Sequence, residues 1–247
     1  MNYFIEPLTY PNFNSLTYSV LHLQTATFLF SGIGMVICFG LYLFVKEKKK
    51  LSWGITLVNS FVTSLFSAYY IYRKKTEIVN YFYTGVGIGP LLCSVDDYSA
   101  LCCVWFAVMN LYDLVFGAVC YPTYLGVFTA LIHHPFYIWL MNASITGKVG
   151  FTKIRPFSSG LVFFLLEEMP TFVLAIGTFF PTLKTHLGYG IVFGSLRVGY
   201  HTGLVYLIYT EFQTEPVYWL LPSIPLVMHL VWFKEWVDKY GRKAITF

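Results

Sequence analysis

Runs of about 20 apolar residues, the length that crosses a hydrocarbon layer as a helix, recur from residue 17 to residue 237 of the chain. A chain built this way cannot hide its apolar surface in one water-excluding core, so lipid must be its solvent. One helix per run predicts seven spans, near 17–45, 51–72, 99–119, 122–143, 157–180, 186–210 and 216–237. Composition agrees: 57% of residues are hydrophobic and 11% charged, against about 25% charged in soluble domains. The predicted fold is an all-α polytopic transmembrane bundle with no separate soluble domain. The stretch 78–95 is apolar too, but Gly85, Gly87, Gly89 and Pro90 break regular helices, so it is expected to lie at the membrane interface.

The formal charge of +4 sits in short clusters beside apolar runs, such as "KEKKK" at 46–50. That arrangement suits anionic lipid headgroups and argues against a nucleic-acid partner. With seven spans, nine Lys and Arg fall on the C-terminal side (Lys46, Lys48, Lys49, Lys50, Lys184, Lys234, Lys239, Arg242, Lys243) and six on the other (Arg73, Lys74, Lys75, Lys148, Lys153, Arg155). The positive-inside rule then predicts a lumenal or external N-terminus and a cytosolic C-terminus. The first residues lack the positive start and cleavage site of a signal peptide, so the first run is expected to remain as a span.

Five cysteines, an odd number lying mostly in apolar stretches, suggest neither a disulfide framework nor a zinc site. They are expected to act as small packing residues, and no metal site is predicted. Phosphate-binding glycine loops, Gly-x-Ser-x-Gly elbows and His-Glu-x-x-His helices are absent from the sequence. Aromatics near the helix ends, as in "YYIYRKK" and "VWFKEW", fit interfacial belts. The pairs Gly190/Gly194 and Gly199/Gly203 fit close helix packing. Asp96 and Asp97 suit a solvated loop or a helix start.

Ionisable residues at bilayer depth cost about 2.5–3.5 kcal/mol each or more unless they meet a cavity or a partner. This chain carries many: Asp113, His133, His134, Glu167, Glu168, Arg197, His201 and His229, spread over five consecutive predicted spans. One shared polar pocket explains that convergence. Arg197 and His201, four apart, should stack on one helix face. Within each of the pairs His133/His134 and Glu167/Glu168, about 100° of rotation separates neighbours, so one member of each should look inward. Pro135 and Pro170 should open the helices there and leave the carbonyls of Leu131 and Leu166 without their usual donors.

The intramembrane "HH" at 133–134, "LLEEMPTF" at 165–172, "LRVGYH" at 196–201 and "HLVWFKEW" at 229–236 together resemble the TLC domain family, which includes the ceramide synthases. The likeness covers about 51–243 and leaves 1–50 as an N-terminal segment with the first helix. Pro170-Thr171 transposes a Thr-Pro found in many TLC proteins outside the ceramide synthase branch, and the chain lacks the His-Asp dipeptide of the ceramide synthase signature. The resemblance implies a ring of six helices around a central cavity, with one helix outside. It also implies that His133 and His134 are nucleophile and general base in transfer of an acyl group from acyl-CoA. Glu167 or Asp113 would orient the imidazole. Arg197 with His201, aided by Glu168 and His229, would hold the substrate headgroup.

The expected function is therefore lipid handling in the endoplasmic reticulum or a related endomembrane, with long-chain acyl-CoA as co-substrate, no bound cofactor, membrane lipids as partners and a homodimer left open. The alternative is a non-catalytic lipid-binding or cargo-sorting protein on the same scaffold. A proton-coupled transporter ranks third, because no inverted repeat of the spans is apparent.

Overall fold

A computed structural model describes residues 14–85, 88–126, 128, 132–183 and 186–241, with side chains from residue 22 to residue 240. Gly87, Leu131, Lys184, Arg242 and Lys243, which entered the sequence reading, lie outside the described residues. The chain is an all-α polytopic bundle and an integral, multi-pass membrane protein. Among the described residues, six stretches are long and apolar enough to cross a membrane: His22–Phe44, Lys48–Arg73, Asp97–Cys120, Ser158–Phe179, His186–Glu211 and Pro216–Tyr240. They match six of the seven predicted spans. Large apolar side chains such as Phe28, Val36, Val119 and Val227 face outward, as a lipid solvent requires.

In the remaining predicted span, 122–143, residues 127 and 129–131 lie outside the described residues; Pro122–Tyr124 is a 3-10 turn, residues 132–133 wind as π-helix, and an α-helix runs from His134 to Thr146. Proline at its second position starts it, and Gly147, left-handed at φ +64°, ends it.

The helices are α1 (Asn14–Phe44), α2 (Lys48–Arg73), α3 (Lys75–Thr84), α4 (Ile88–Leu92), α5 (Asp97–Cys120) and α6 (His134–Thr146). A two-residue-strand hairpin follows, pairing Lys148–Val149 with Thr152–Lys153. Then come α7 (Ser158–Phe164), α8 (Met169–Phe179), α9 (His186–Phe193), α10 (His201–Glu211) and α11 (Val217–Trp236). Three joints depart from α geometry: Leu165–Glu168 winds as 3-10 helix, while Gly194–Tyr200 and Val237–Gly241 wind as π-helix. Within the predicted interfacial stretch, α3 buries no side chain, whereas α4 packs into the bundle against α7 and α10.

α1 lies outside, packed on α5 and α2. Around the interior, the half of the bundle nearer the hairpin is filled by an apolar cluster including Phe106, Leu140, Met141, Leu161, Val162 and Ile208. Cys102 and Cys103 belong to it, and all five cysteines are free. Serines tie this half together: Ser67 Oγ donates to the Val162 carbonyl at 2.7 Å, Ser94 to Ser159 at 2.9 Å, and Ser99 and Ser158 share a bond of 2.8 Å. Asp96 is the N-cap of α5 and accepts from the Ser99 amide at 2.7 Å.

The glycine pairs behave differently from one another. Gly190 and Gly194 lie under the rings of Trp236 and Phe233 of the last helix, whereas Gly203 faces open space. Gly160 lets the backbones of α7 and α4 approach closely. A Cβ on it would sit 2.7 Å from the Leu92 carbonyl oxygen, which is backbone and cannot swing aside. Gly160→Ala is expected to cost about 1–3 kcal/mol, seen as a lower melting temperature of the detergent-solubilised protein. Unchanged melting would mean that α4 shifts freely.

Candidate active site

α2, α5, the turn after it, α6, α8, α9 with its π-helical continuation, and α11 together enclose one cavity of about 350 Å³, a size typical of small-molecule sites. Its lining residues run from mid-bundle, at Phe106 and Glu168, to the end that carries residues 45–47, the Tyr121–Gly126 turn and Pro181–Leu183. Lys46, Lys48, Lys49 and Lys50 lie at that same end of α2.

Both histidines of the pair line the cavity, although the helical rotation predicted that only one would. His133 stands at the start of α6, where the chain is not yet α-helical, so the 100° step does not apply. His134 is buried and its Nε2 lies 3.7 Å from Asp113 Oδ2. Asp113 is itself anchored: Oδ1 accepts from the Tyr121 hydroxyl at 2.6 Å and Oδ2 from Thr56 Oγ1 at 3.2 Å. The Nδ1 atoms of His133 and His134 are buried with no hydrogen-bond partner among the described residues. Leaving such an atom unsatisfied costs about 1–3 kcal/mol.

The two glutamates part company. In a 3-10 turn successive side chains are about 120° apart, and Glu167 and Glu168 point to opposite sides of the junction between α7 and α8. Glu168 lines the cavity and pairs with Arg197 Nη2 at 3.4 Å. Arg197 Nη2 also donates to Thr171 Oγ1, and Nε donates to the Glu167 carbonyl at 2.9 Å. The Leu166 carbonyl, expected to be free because of Pro170, accepts from the Met169 amide instead, since the 3-10 winding supplies a donor one residue earlier.

Glu167 turns away from the cavity into a second cluster. Its Oε2 lies 2.7 Å from His201 Nδ1 and 3.4 Å from His229 Nδ1, and all three residues are buried. His201 does not line that cavity; with Arg197 it borders a smaller void beside Glu167, on the same side of the π-helical turn over Gly194–Tyr200. His201 Nε2 meets the Pro222 carbonyl at 2.8 Å. A carbonyl only accepts, so Nε2 carries hydrogen, and the contact between Nδ1 and the carboxyl group needs a hydrogen or a bound ion between them. Glu167 is thus not the group that orients the histidine pair; Asp113 is the carboxylate beside it.

Thr56 and Tyr121, neither of them singled out in the sequence, and Thr171 and Trp232, which enter there only within motifs, line the cavity or anchor its charged groups. Comparison with protein-family models, with curated proteins and with solved structures gives no match to this chain.

Proposed function

We propose that the protein is a membrane-embedded lipid-handling enzyme that moves a long-chain acyl group from acyl-CoA to a lipid or amine acceptor. The observation that carries this reading is that His133 and His134 both line the cavity, with His134 beside a carboxylate that two hydroxyls hold in place. With hydrogen on Nε2 facing Asp113, His134 Nδ1 has a free lone pair and can take a proton from the acceptor N–H or O–H as it attacks the thioester carbonyl. The C–S bond then breaks, and the same proton passes to the departing sulfur, giving free CoA and the acylated acceptor. His133, one residue away, contacts the acyl carbonyl, and Arg197 with Glu168 closes the deep wall. The lysines at 46–50 meet the phosphates of CoA at the cavity end.

The cavity's confinement to one half of the bundle, above a packed apolar cluster, favours this over a transporter, which needs a polar path to both faces. The TLC resemblance adds the same reading, together with residence in the endoplasmic reticulum or a related endomembrane, and the distribution of Lys and Arg over seven spans supports a lumenal N-terminus and a cytosolic C-terminus. That orientation puts the cavity end on the side where acyl-CoA is found.

The test is release of free CoA from a panel of long-chain acyl-CoAs, with lipid extract as acceptor, by purified wild type, His133→Ala and His134→Ala. Release by wild type is expected to fall by about 10²–10⁴-fold in either variant while the fold is retained. No release with any donor would instead leave a lipid-binding or sorting protein whose histidines shape the pocket.

A further inference from the structure

We infer that Glu167, His201 and His229 form a binding site for one divalent transition-metal ion of the zinc class, separate from the histidine pair and independent of acyl transfer. Three donor atoms, Glu167 Oε2, His201 Nδ1 and His229 Nδ1, lie within 4.8 Å of one another, and every residue is buried. They come from three different segments: the junction of α7 and α8, the first residue of α10, and the middle of α11.

The distances fit. Zinc bonds of about 2.0–2.1 Å in a tetrahedral site put neighbouring donors roughly 3.3 Å apart. The carboxylate oxygen and His229 Nδ1 are already 3.4 Å apart, and the 2.7 Å contact to His201 needs to open by only about 0.6 Å to reach that spacing. The outer hydrogen bonding also fits. His201 donates Nε2–H to the Pro222 carbonyl, the contact that fixes a ligating imidazole with its other nitrogen free to bind metal.

A proton alone serves this cluster poorly. One proton between Glu167 and His201 still leaves His229 Nδ1 and Glu167 Oε1 buried without hydrogen-bond partners, whereas one ion satisfies both histidines and the carboxylate together. Two imidazoles and a carboxylate suit zinc or a neighbouring first-row metal rather than calcium or magnesium. A small void of about 20 Å³ beside the three residues has room for one water as a fourth ligand. The nearby charge of Arg197 is matched by Glu168, so it does not oppose the ion unopposed.

The test uses the full chain purified in detergent, stripped with chelator, incubated with Zn²⁺ and desalted, with bound metal measured by mass spectrometry and melting temperature recorded with and without Zn²⁺. Wild type and His133→Ala are expected to retain about one zinc per chain and to melt higher with it. Glu167→Gln and His229→Asn are expected to retain at least about tenfold less. Where a variant fails to fold, the wild type decides alone: cobalt substituted for zinc should give the visible absorption of a low-coordinate site. Folded wild type that retains no zinc and does not shift in melting would overturn the proposal. So would metal that survives in both variants or disappears in His133→Ala.

Discussion

Arg197→Met is expected to destabilise the protein by about 3–5 kcal/mol, the usual consequence of stranding one partner of a buried ion pair. The methionine matches the arginine stem in length, so packing is largely kept and the loss is polar. Glu168 loses its 3.4 Å cation, and Thr171 Oγ1 and the Glu167 carbonyl lose their donor. Removing the stranded charge as well should restore much of the stability, so the double variant Glu168→Gln/Arg197→Met should melt above the single variant. Denaturation in detergent micelles, run as a double-mutant cycle, measures this coupling. Purely additive effects, or a single-variant cost under about 1 kcal/mol, would mean that Arg197 points into cavity water and that the pair contributes little.

Much of the bundle is legible in the sequence because a membrane helix announces itself by length: 20 apolar residues in series leave few alternatives. The rule says less about local winding: Pro135 sits in the first turn of α6, directly after a π-helical turn at residues 132–133, and hydropathy does not register either feature. The site is legible as a set of charges but not as a geometry. Eight ionisable residues at depth point to a polar interior, and they do gather there, yet in two clusters rather than one. The division arises at the 3-10 winding of Leu165–Glu168, which sends Glu168 to the cavity and Glu167 to His201; helical spacing foretells that the two glutamates part, but not which of them faces the histidine pair. Tyr121 and Thr56 escaped notice for a different reason. In a chain that is 20% aromatic, one tyrosine beyond the end of a helix carries no signal until the fold brings its hydroxyl to Asp113.

Asp113→Asn is expected to lower acyl transfer by about 10²–10⁴-fold while the melting temperature and the apparent KM for acyl-CoA stay near wild type. Asparagine keeps the shape of the side chain and still offers one oxygen to the hydroxyls of Tyr121 and Thr56 that now hold the carboxylate. What it removes is the negative charge facing His134 Nε2 at 3.7 Å. With the amide nitrogen turned toward the ring, hydrogen on Nε2 becomes unfavourable and moves to Nδ1, the atom that has no hydrogen-bond partner among the described residues. The base is then blocked by its own proton. Asp113 is thus a positioning residue, and its effect falls on kcat rather than on binding. The ¹⁵N chemical shifts of His134 give a readout independent of turnover: a ring protonated on Nε2 in wild type and on Nδ1 in Asp113→Asn. Identical tautomers in the two proteins would sink this role for Asp113 even if activity fell. Tyr121→Phe provides the graded case, because it loosens the aspartate without removing its charge, and it should cost far less activity than Asp113→Asn.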